Sequence, residues 1–289
     1  MRVASLAWHG LGLNGRLIRS ADGGTGFLWD RVSAVASFAA RDLLGLRRTP
    51  KGEPRAVPPD HRVYAIGDIH GRRDLLDALL DDIKEDCDGT EQTVVIVCLG
   101  DYVDRGPDSK GVIERLLNLP APFQGKFLRG NHDQALLDFL ADPASYELWC
   151  DFGAGETLTS YGVRPPRDHS LSTFCDVRDR FLQALPASHL HFFRTLLLSW
   201  EIGDYFFAHA GVRPGSPLNQ QKEDDLLWIR EEFLSSSEDF GKLVVHGHTP
   251  TDSPVKKANR IGIDTGAYLT GRLTALVLDG QSQRFLQTL

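Results

Sequence analysis

Five short apolar runs rich in β-branched and aromatic residues recur from residue 62 onward, and each one ends abruptly at a glycine or a polar side chain. They cover residues 62–66, 93–99, 126–128, 205–208 and 243–245. Runs of this length and composition predict strands that are buried on both faces. Further strand-like runs at 260–264, 273–279 and 284–288 close the chain.

Helical spacing separates the first three runs. One apolar face is predicted for residues 75–83, and a second for residues 112–117, which Pro107 and Asp108 open as a helix start. Strand–helix–strand alternation predicts a mostly parallel sheet with right-handed crossovers. Because ligands of such sheets bind beyond the carboxyl ends of the strands, we expect the polar residues after the five runs to converge at one edge.

Residues 142–200 interrupt this alternation. The segment is rich in proline and tryptophan, with helical stretches predicted near 176–185 and 188–198. We interpret it as a helical insertion that packs beside the site and shapes substrate access.

The first 60 residues differ in composition from the rest. A glycine-rich start leads into a stretch of helical spacing around 27–46, and prolines then crowd residues 50–59. The sequence therefore predicts an N-terminal extension with a Pro-rich linker over 1–60 and a catalytic domain over 61–289. Two interpretations of the extension stay open: a mobile tail, or a basic amphipathic anchor that contacts a membrane or a protein partner.

Charge and composition exclude several classes of protein. The 289 residues carry a formal net charge of −7, and residues 1–55 contribute +5, which leaves −12 for the remainder. An acidic body argues against nucleic acid as a partner. The four cysteines include no C-x-x-C pair, so we expect a reducing, cytoplasmic location. No apolar stretch reaches the ~18–20 residues of a transmembrane segment.

Oxygen- and nitrogen-bearing side chains follow the predicted strands. The set comprises Asp68, His70, Asp101, Asn131, His209 and His248. It contains no thiolate and mixes imidazoles with oxygen ligands, which suits Mn, Fe or Zn better than Ca or Mg alone. Six ligands are too many for one tetrahedral zinc with an open position, but they suit two ions that share a carboxylate.

Five strings appear in an order that resembles the calcineurin-like metallophosphoesterases. They are GDIHG (67–71), GDYVDRG (100–106), RGNHD (129–133), HAG (209–211) and GHTP (247–250). Within that family they resemble the PPP-type serine/threonine protein phosphatases, and GHTP with IDTGA (263–267) resembles the bacterial and phage branch. The resemblance implies an α/β fold in which two mixed sheets form a β-sandwich flanked by helices.

The resemblance also implies roles. Two divalent metal ions, Mn²⁺ first with Fe or Zn as alternatives, would be bound by Asp68, His70, Asp101, Asn131, His209 and His248, with Asp101 bridging. His132 would be the general acid and Asp104 would orient it. The substrate phosphate would be bound by Arg105, Asn131, Arg230 and Arg129. For Arg129 a structural salt bridge is the alternative.

The implied function is a metal-dependent phosphoprotein phosphatase. It would act on phosphoserine or phosphothreonine, with phosphotyrosine as an extension, through direct attack of a metal-bridging hydroxide on the phosphomonoester. The alternative is a symmetrical dinucleoside tetraphosphate hydrolase, a branch that often lacks the aspartate at the position of Asp104. A third reading is a metal-bound scaffold without activity. Outside the assigned set, we expect His246 to lie behind the ligands, Asp264 to be structural and Asp133 to cap a helix.

Overall fold

Ten strands form two five-stranded sheets in the computed structural model, which describes residues 54–288. The first sheet has the spatial order β10 (Ser282–Gln287), β9 (Thr274–Asp279), β1 (His61–Ile66), β2 (Thr93–Cys98) and β3 (Gln124–Phe127). The second has the order β4 (Ser199–Ile202), β5 (Tyr205–Ala208), β6 (Leu243–His246), β8 (Arg260–Gly262) and β7 (Val255–Lys256).

Ten α-helices accompany the sheets in this part of the chain. They are α1 (Arg73–Asp86), α2 (Ser109–Leu117), α3 (Asn131–Ala141), α4 (Tyr146–Cys150), α5 (Ala154–Ser160), α6 (Leu171–Ala184), α7 (Ala187–Arg194), α8 (Glu223–Trp228), α9 (Glu231–Leu234) and α10 (Ala267–Thr270). Short 3₁₀ turns lie at Pro143–Ser145 and Leu218–Gln220.

Each sheet is mixed. Strands β1, β2 and β3 are parallel, as are β5, β6 and β8, and antiparallel strands complete both sheets. The prediction of one mostly parallel sheet from the strand–helix alternation was therefore wrong. Two-residue links at 203–204 and 280–281, each containing a glycine with positive φ, allow only antiparallel hairpins. The two-sheet fold that the family resemblance implied is confirmed.

The prediction of burial on both faces was wrong for β3, whose residues Gln124–Phe127 are exposed or half-buried because it is the edge strand of the first sheet. In the central strands, alternation between two covered faces explains the apolar runs. In β1, Val63 and Ala65 join the core between the two sheets, whereas Tyr64 and Ile66 join the core beneath the helices. Both sets are fully buried. A strand covered on both faces gains apolar burial from every residue, and this removes the polar–apolar alternation of a half-exposed strand.

The outer face of the second sheet is covered by a smaller core. Phe206 and Val244 of that sheet pack with Leu226 and Phe233 of α8 and α9. The layers are therefore helix, sheet, sheet and helix, and the carboxyl ends of the parallel strands carry the polar segments singled out above.

The segment predicted as a helical insertion contains α4 to α7. Helix α6 begins at Leu171, five residues before the predicted start, because the Ser170 side chain accepts the Thr173 N–H and caps it. Helix α7 ends at Arg194, four residues before the predicted end, where Thr195 forms the C-cap.

Residues directly before β1 contact the domain. The backbone N–H of Val57, a buried residue, donates to Gly280, and that of Ala56 donates to the Asp204 carboxylate. Residues 1–53 lie outside the described part of the chain, so the predicted role of the N-terminal extension stays a prediction. Among residues 54–288, no helix has the length and hydropathy required to cross a bilayer.

Candidate functional site

The loops that follow β1, β2, β3, β5 and β6 meet around the carboxylate of Asp101. Nε2 of His70 lies 3.5 Å from Oδ2 of Asp101, and Nε2 of His209 lies 3.5 Å from Oδ1. Oδ1 of Asn131 lies 2.9 Å from His209 Nε2 and 2.8 Å from His248 Nδ1. The structure thus brings these five predicted ligands together.

Asp68, the sixth predicted metal ligand, lies on one side of these five residues. Its carboxylate accepts the backbone N–H of His248 at 3.0 Å. It also faces Asp264, whose own carboxylate accepts the Gly266 N–H, and both side chains are buried. Burial and the neighbouring acid raise the pKa of Asp68 above its ordinary value. Two buried carboxylates beside each other repel unless a proton or a cation lies near them.

The backbone at the site adopts unusual conformations. Positive φ angles occur at His70, Asp101, Asp104, Arg105 and His248, with values from 44° to 69°. No other non-glycine residue of the described chain has a positive φ. A left-handed backbone costs conformational energy in residues that have a Cβ atom. Among the described non-glycine residues it is confined to these loops, which indicates that the loops are held in an unfavourable conformation in order to place their side chains.

The imidazoles are oriented by bonds on their far side. Nδ1 of His70 donates to the carbonyl of Val103 at 2.8 Å, and Nδ1 of His209 donates to that of Leu99 at 3.0 Å. Each Nε2 therefore keeps a lone pair directed at the centre, the arrangement of metal-binding histidines. Burial lowers the pKa of His70 to about 3, so this ring is neutral at pH 7.

Two groups of donors fit two cations. His70, Asp101 and His132 form one group, and Asp101, His209 and His248 form the other, each with donor atoms within 4.8 Å of one another. His132 is in the first group by distance alone, because it is the predicted acid and not a predicted ligand, and the predicted ligand Asp68 is in neither group. Asp101 belongs to both. In addition, Nε2 of His248 is buried without a hydrogen-bond partner. An orphaned buried nitrogen and a shared carboxylate are what a pair of divalent cations would satisfy.

His132 and Asp104 form a buried hydrogen-bonded pair. Nδ1 of His132 lies 2.8 Å from Oδ2 of Asp104, and Nε2 points toward the centre, 3.8 Å from Oδ2 of Asp101. Burial lowers the pKa of His132, but the carboxylates of Asp101 and Asp104 outweigh that effect and hold it above its ordinary value. A histidine held in this way can carry a proton at neutral pH.

Two of the predicted phosphate-binding arginines flank the centre. Nη2 of the exposed Arg105 lies 3.2 Å from His132 Nε2, and its guanidinium lies 4.6 Å from the centre of the Tyr268 ring. Exposed Arg230 donates to the His248 carbonyl and to Thr249 Oγ1. Both guanidinium groups thus lie beside predicted site residues, Arg105 beside His132 and Arg230 beside His248.

Arg129 has a different environment. Its Nη1 donates to Gln134 at 2.9 Å and forms an ion pair with Glu223 of α8 at 3.1 Å. These contacts fit the structural salt bridge that the sequence left open, whereas phosphate binding by Arg129 stays a prediction.

Asp133 and His246, which the sequence analysis left outside the assigned site, have structural contacts. Asp133 accepts the N–H groups of Gly130, Asp101 and Tyr102, so it both caps the start of α3 and ties down the loop that carries Asp101. His246 packs edge-on against Phe233 and belongs to neither donor group.

Sequence reasoning missed four residues near His132 and Asp104. Trp149 and Thr157 hydrogen-bond to the Asp104 carboxylate. Phe152 lies 5.0 Å from the His132 ring, and Tyr268 lies 5.3 Å from that of His70. None belongs to a metal-binding string. For Trp149, Phe152 and Thr157 the signal was the prediction that residues 142–200 pack beside the site, and for Tyr268 there was none.

Comparison with known proteins identifies the class. The sequence profile of the calcineurin-like phosphoesterases matches residues 61–274. The chain belongs to this family, within its bacterial PPP-type branch, as the motifs predicted.

Individual relatives carry two kinds of name. The chain is 31% identical to serine/threonine-protein phosphatase 1 of Salmonella typhimurium, over 73% of this chain and 89% of that protein. It is 26% identical to an asymmetrical bis(5'-nucleosyl)-tetraphosphatase of Oceanobacillus iheyensis, over 74% and 87%. A crystal structure provisionally described as a diadenosine tetraphosphatase superimposes with a TM-score of 0.55 at 24% identity, over 82% of this chain and 99% of that one. The last likeness shows the fold alone.

Proposed function

We propose that this phosphoesterase is a metal-dependent phosphoprotein phosphatase that hydrolyses phosphomonoesters of serine and threonine, and also of tyrosine. The observation that carries the proposal is the His132–Asp104 pair, placed with its free Nε2 toward the shared carboxylate of Asp101. A buried acid of this kind is needed when the leaving group is a basic alkoxide.

The residues proposed to hold two divalent cations are Asp68, His70, Asp101, Asn131, His209 and His248. Bound there, the ions would supply Lewis-acid stabilisation of the phosphate and a more acidic water as nucleophile. Mixed imidazole, carboxylate and amide ligands favour Mn²⁺ in our proposal, with Fe or Zn as alternatives.

The chain's own cations and acid complete the proposed chemistry. Arg105 and Arg230 bind the phosphate oxygens through planar guanidinium forks, and the amide of Asn131 contributes a further polar contact. His132 donates its Nε2 proton to the departing oxygen. Asp104 keeps the ring in place during this transfer, because its carboxylate holds the Nδ1–H.

A dinucleoside tetraphosphatase is the second candidate, and the name of the relative from Oceanobacillus iheyensis favours the asymmetrical reaction over the symmetrical one weighed from the sequence. Two observations support the phosphatase instead. The relative named as a protein phosphatase is more similar. The second is the buried His132–Asp104 pair, because a basic alkoxide leaving group needs the proton of such an acid more than a polyphosphate leaving group does.

Competition between substrates tests the proposal. The purified enzyme with Mn²⁺ is given a phosphoserine peptide, the matching phosphotyrosine peptide and diadenosine tetraphosphate. We expect kcat/KM to be higher for at least one peptide than for the dinucleotide. Faster cleavage of the dinucleotide would refute the phosphatase assignment, and no turnover of any of the three would refute enzymatic phosphoester hydrolysis.

A cytoplasmic location and phosphoprotein partners belong to the same proposal. Fractionation of cells followed by immunodetection tests the location.

A further inference from the structure

Three donors converge on the carboxylate of Asp104, and two of them come from the helical region. Trp149 Nε1–H donates to Oδ2 at 3.0 Å, Thr157 Oγ1–H donates to Oδ1 at 2.6 Å, and the third donor is His132 Nδ1–H, at 2.8 Å from Oδ2. Trp149, Thr157 and Asp104 are all completely buried. We propose that Trp149 and Thr157 are positioning residues that fix the Asp104 carboxylate, and through it the general acid His132.

With the Asp104 carboxylate ionised, the hydroxyl protons around it can be assigned. The carboxylate accepts from Thr157, so the single hydroxyl proton of Thr157 is used there. Ser109 Oγ lies 3.1 Å from Thr157 Oγ1 and must therefore donate to it. The backbone N–H of Asp104 donates to Thr157 Oγ1 at 2.8 Å and points also at Ser109 Oγ, at 3.2 Å. Every polar atom of this buried network thus has a partner, which favours one rotamer of Asp104.

The backbone explains why Asp104 needs such support. Its φ angle is +69°, and that of the next residue, Arg105, is +68°. Local conformational preference therefore disfavours the loop, and the network from α5 restrains it from outside. The Arg105 N–H also donates to the carbonyl of Gly153 in the same helical region.

Packing holds Trp149 in place. Its indole lies 5.1 Å from the Phe139 ring and 6.1 Å from the Phe181 ring, so α3 and α6 fix the direction of the N–H. Because this donor shares Oδ2 with the imidazole of His132, it restricts rotation of the carboxylate away from the ring. The helical region thereby acts on proton donation, beyond the access role expected from the sequence.

The inference rests on the proposed phosphatase function, and it predicts a dependence on the leaving group. Phenyl phosphate and p-nitrophenyl phosphate have nearly the same shape, but only phenolate is basic enough to need a proton as it departs. A misplaced His132 therefore slows phenyl phosphate more than p-nitrophenyl phosphate.

The test compares Thr157→Val, which removes the hydroxyl at constant shape, with Thr157→Ser, which retains it. Thr159→Val is the matched control, because Thr159 lies in the same helix and is exposed, with its hydroxyl on the Gly155 carbonyl. For the second donor, Trp149→Phe removes the N–H and is compared with Trp200→Phe, at a half-buried tryptophan of the second sheet.

For Thr157→Val and Trp149→Phe we expect kcat on phenyl phosphate to fall by about tenfold to a hundredfold, the usual effect of an orienting partner. The value for p-nitrophenyl phosphate, KM and the bound metal content stay near wild type. Thr157→Ser and both controls keep the wild-type ratio of the two rates. The His132 Nδ1–H resonance of the metal-free protein, assigned by its loss in His132→Asn, should exchange faster with water in Thr157→Val.

Equal loss on both substrates, or no loss on either, would overturn the positioning role. Wild-type enzyme that hydrolyses neither substrate would instead refute the proposed function. If Trp149→Phe fails to fold, the three Thr variants still decide the question.

Discussion

Two regions contribute to the site in different ways. One is the candidate metal-binding edge, which follows β1, β2, β3, β5 and β6, and the other is the helical region over 142–196. At the edge, each donor lies within four residues of the end of a strand, and all of the donors except Asn131, the first residue of α3, lie on the loops that follow the strands. In the helical region, Trp149 and Thr157 reach Asp104 from 45 and 53 residues away in sequence. They do so from the helices α4 and α5.

The two regions differ in how they hold their side chains in position. Loop residues such as Asp101 and His248 are held by strained backbone and by hydrogen bonds to neighbouring segments. The helical region instead adds buried donors on a packed support, which is more rigid than a loop. In the proposed function, the edge would therefore determine what binds, and the helical region would determine how the acid His132 is oriented. The predictions below test this division.

The largest effect is expected at the centre of the edge. Asp101 belongs to both donor groups, so Asp101→Asn should reduce the occupancy of both metal positions and lower kcat by about 10⁴-fold or more. Elemental analysis of the dialysed protein and steady-state kinetics check this. An unchanged metal content would contradict the role of Asp101 as a ligand shared by two metal positions.

His132 links the two regions and should give the next largest effect. His132→Asn is expected to retain metal and to lower kcat on a phosphoserine peptide by about 10²- to 10³-fold, since proton donation is lost. The loss on p-nitrophenyl phosphate should be smaller, because nitrophenolate needs little protonation. Undiminished turnover of the peptide would assign the acid elsewhere.

Two arginines near the edge, Arg105 and Arg129, are expected to differ in their effect on catalysis. Arg105→Ala should cost about tenfold to a hundredfold in kcat/KM, the value of a charged hydrogen bond to phosphate. Arg129→Ala should lose the hydrogen bond to Gln134 and the partly exposed ion pair with Glu223, and it should leave kcat/KM near wild type. Inhibition by inorganic phosphate provides a second measurement. An equal loss in the two variants would restore Arg129 to the phosphate site.

The smallest effect concerns stability in the metal-free protein. Burial lowers the pKa of His246 to about 4, against an ordinary value of 6.5. The unfolded chain therefore binds more protons than the folded one between these values. His246 should thus destabilise the fold as the pH drops through this window, by at most ~1.4 kcal/mol per pH unit.

Urea unfolding at pH 7 and pH 5 measures this effect. The loss of stability on acidification should be smaller in His246→Gln than in wild type, whereas His169→Gln, a change at an exposed histidine, serves as the control. An identical loss in His246→Gln and wild type would show that His246 is not buried in its neutral form.

The sequence by itself determined eight of the ten strands, all except β4 and β7, together with the order of the candidate metal-binding strings and the expectation of a shared centre. These features are local: buried strands are apolar on both faces, and flanking glycines permit the turns that follow. The string from 100 to 106 already contained both the bridging candidate Asp101 and the partner of the acid, Asp104.

Only the tertiary structure decided which strands pair, where Arg129 points and what holds Asp104. Strand pairing divides the runs between two sheets, Glu223 lies 94 residues from Arg129, and Trp149 meets Asp104 through packing of separate helices. Such contacts depend on distances across the folded chain. Hydrophobic periodicity records which residues are buried but not which partner each one meets.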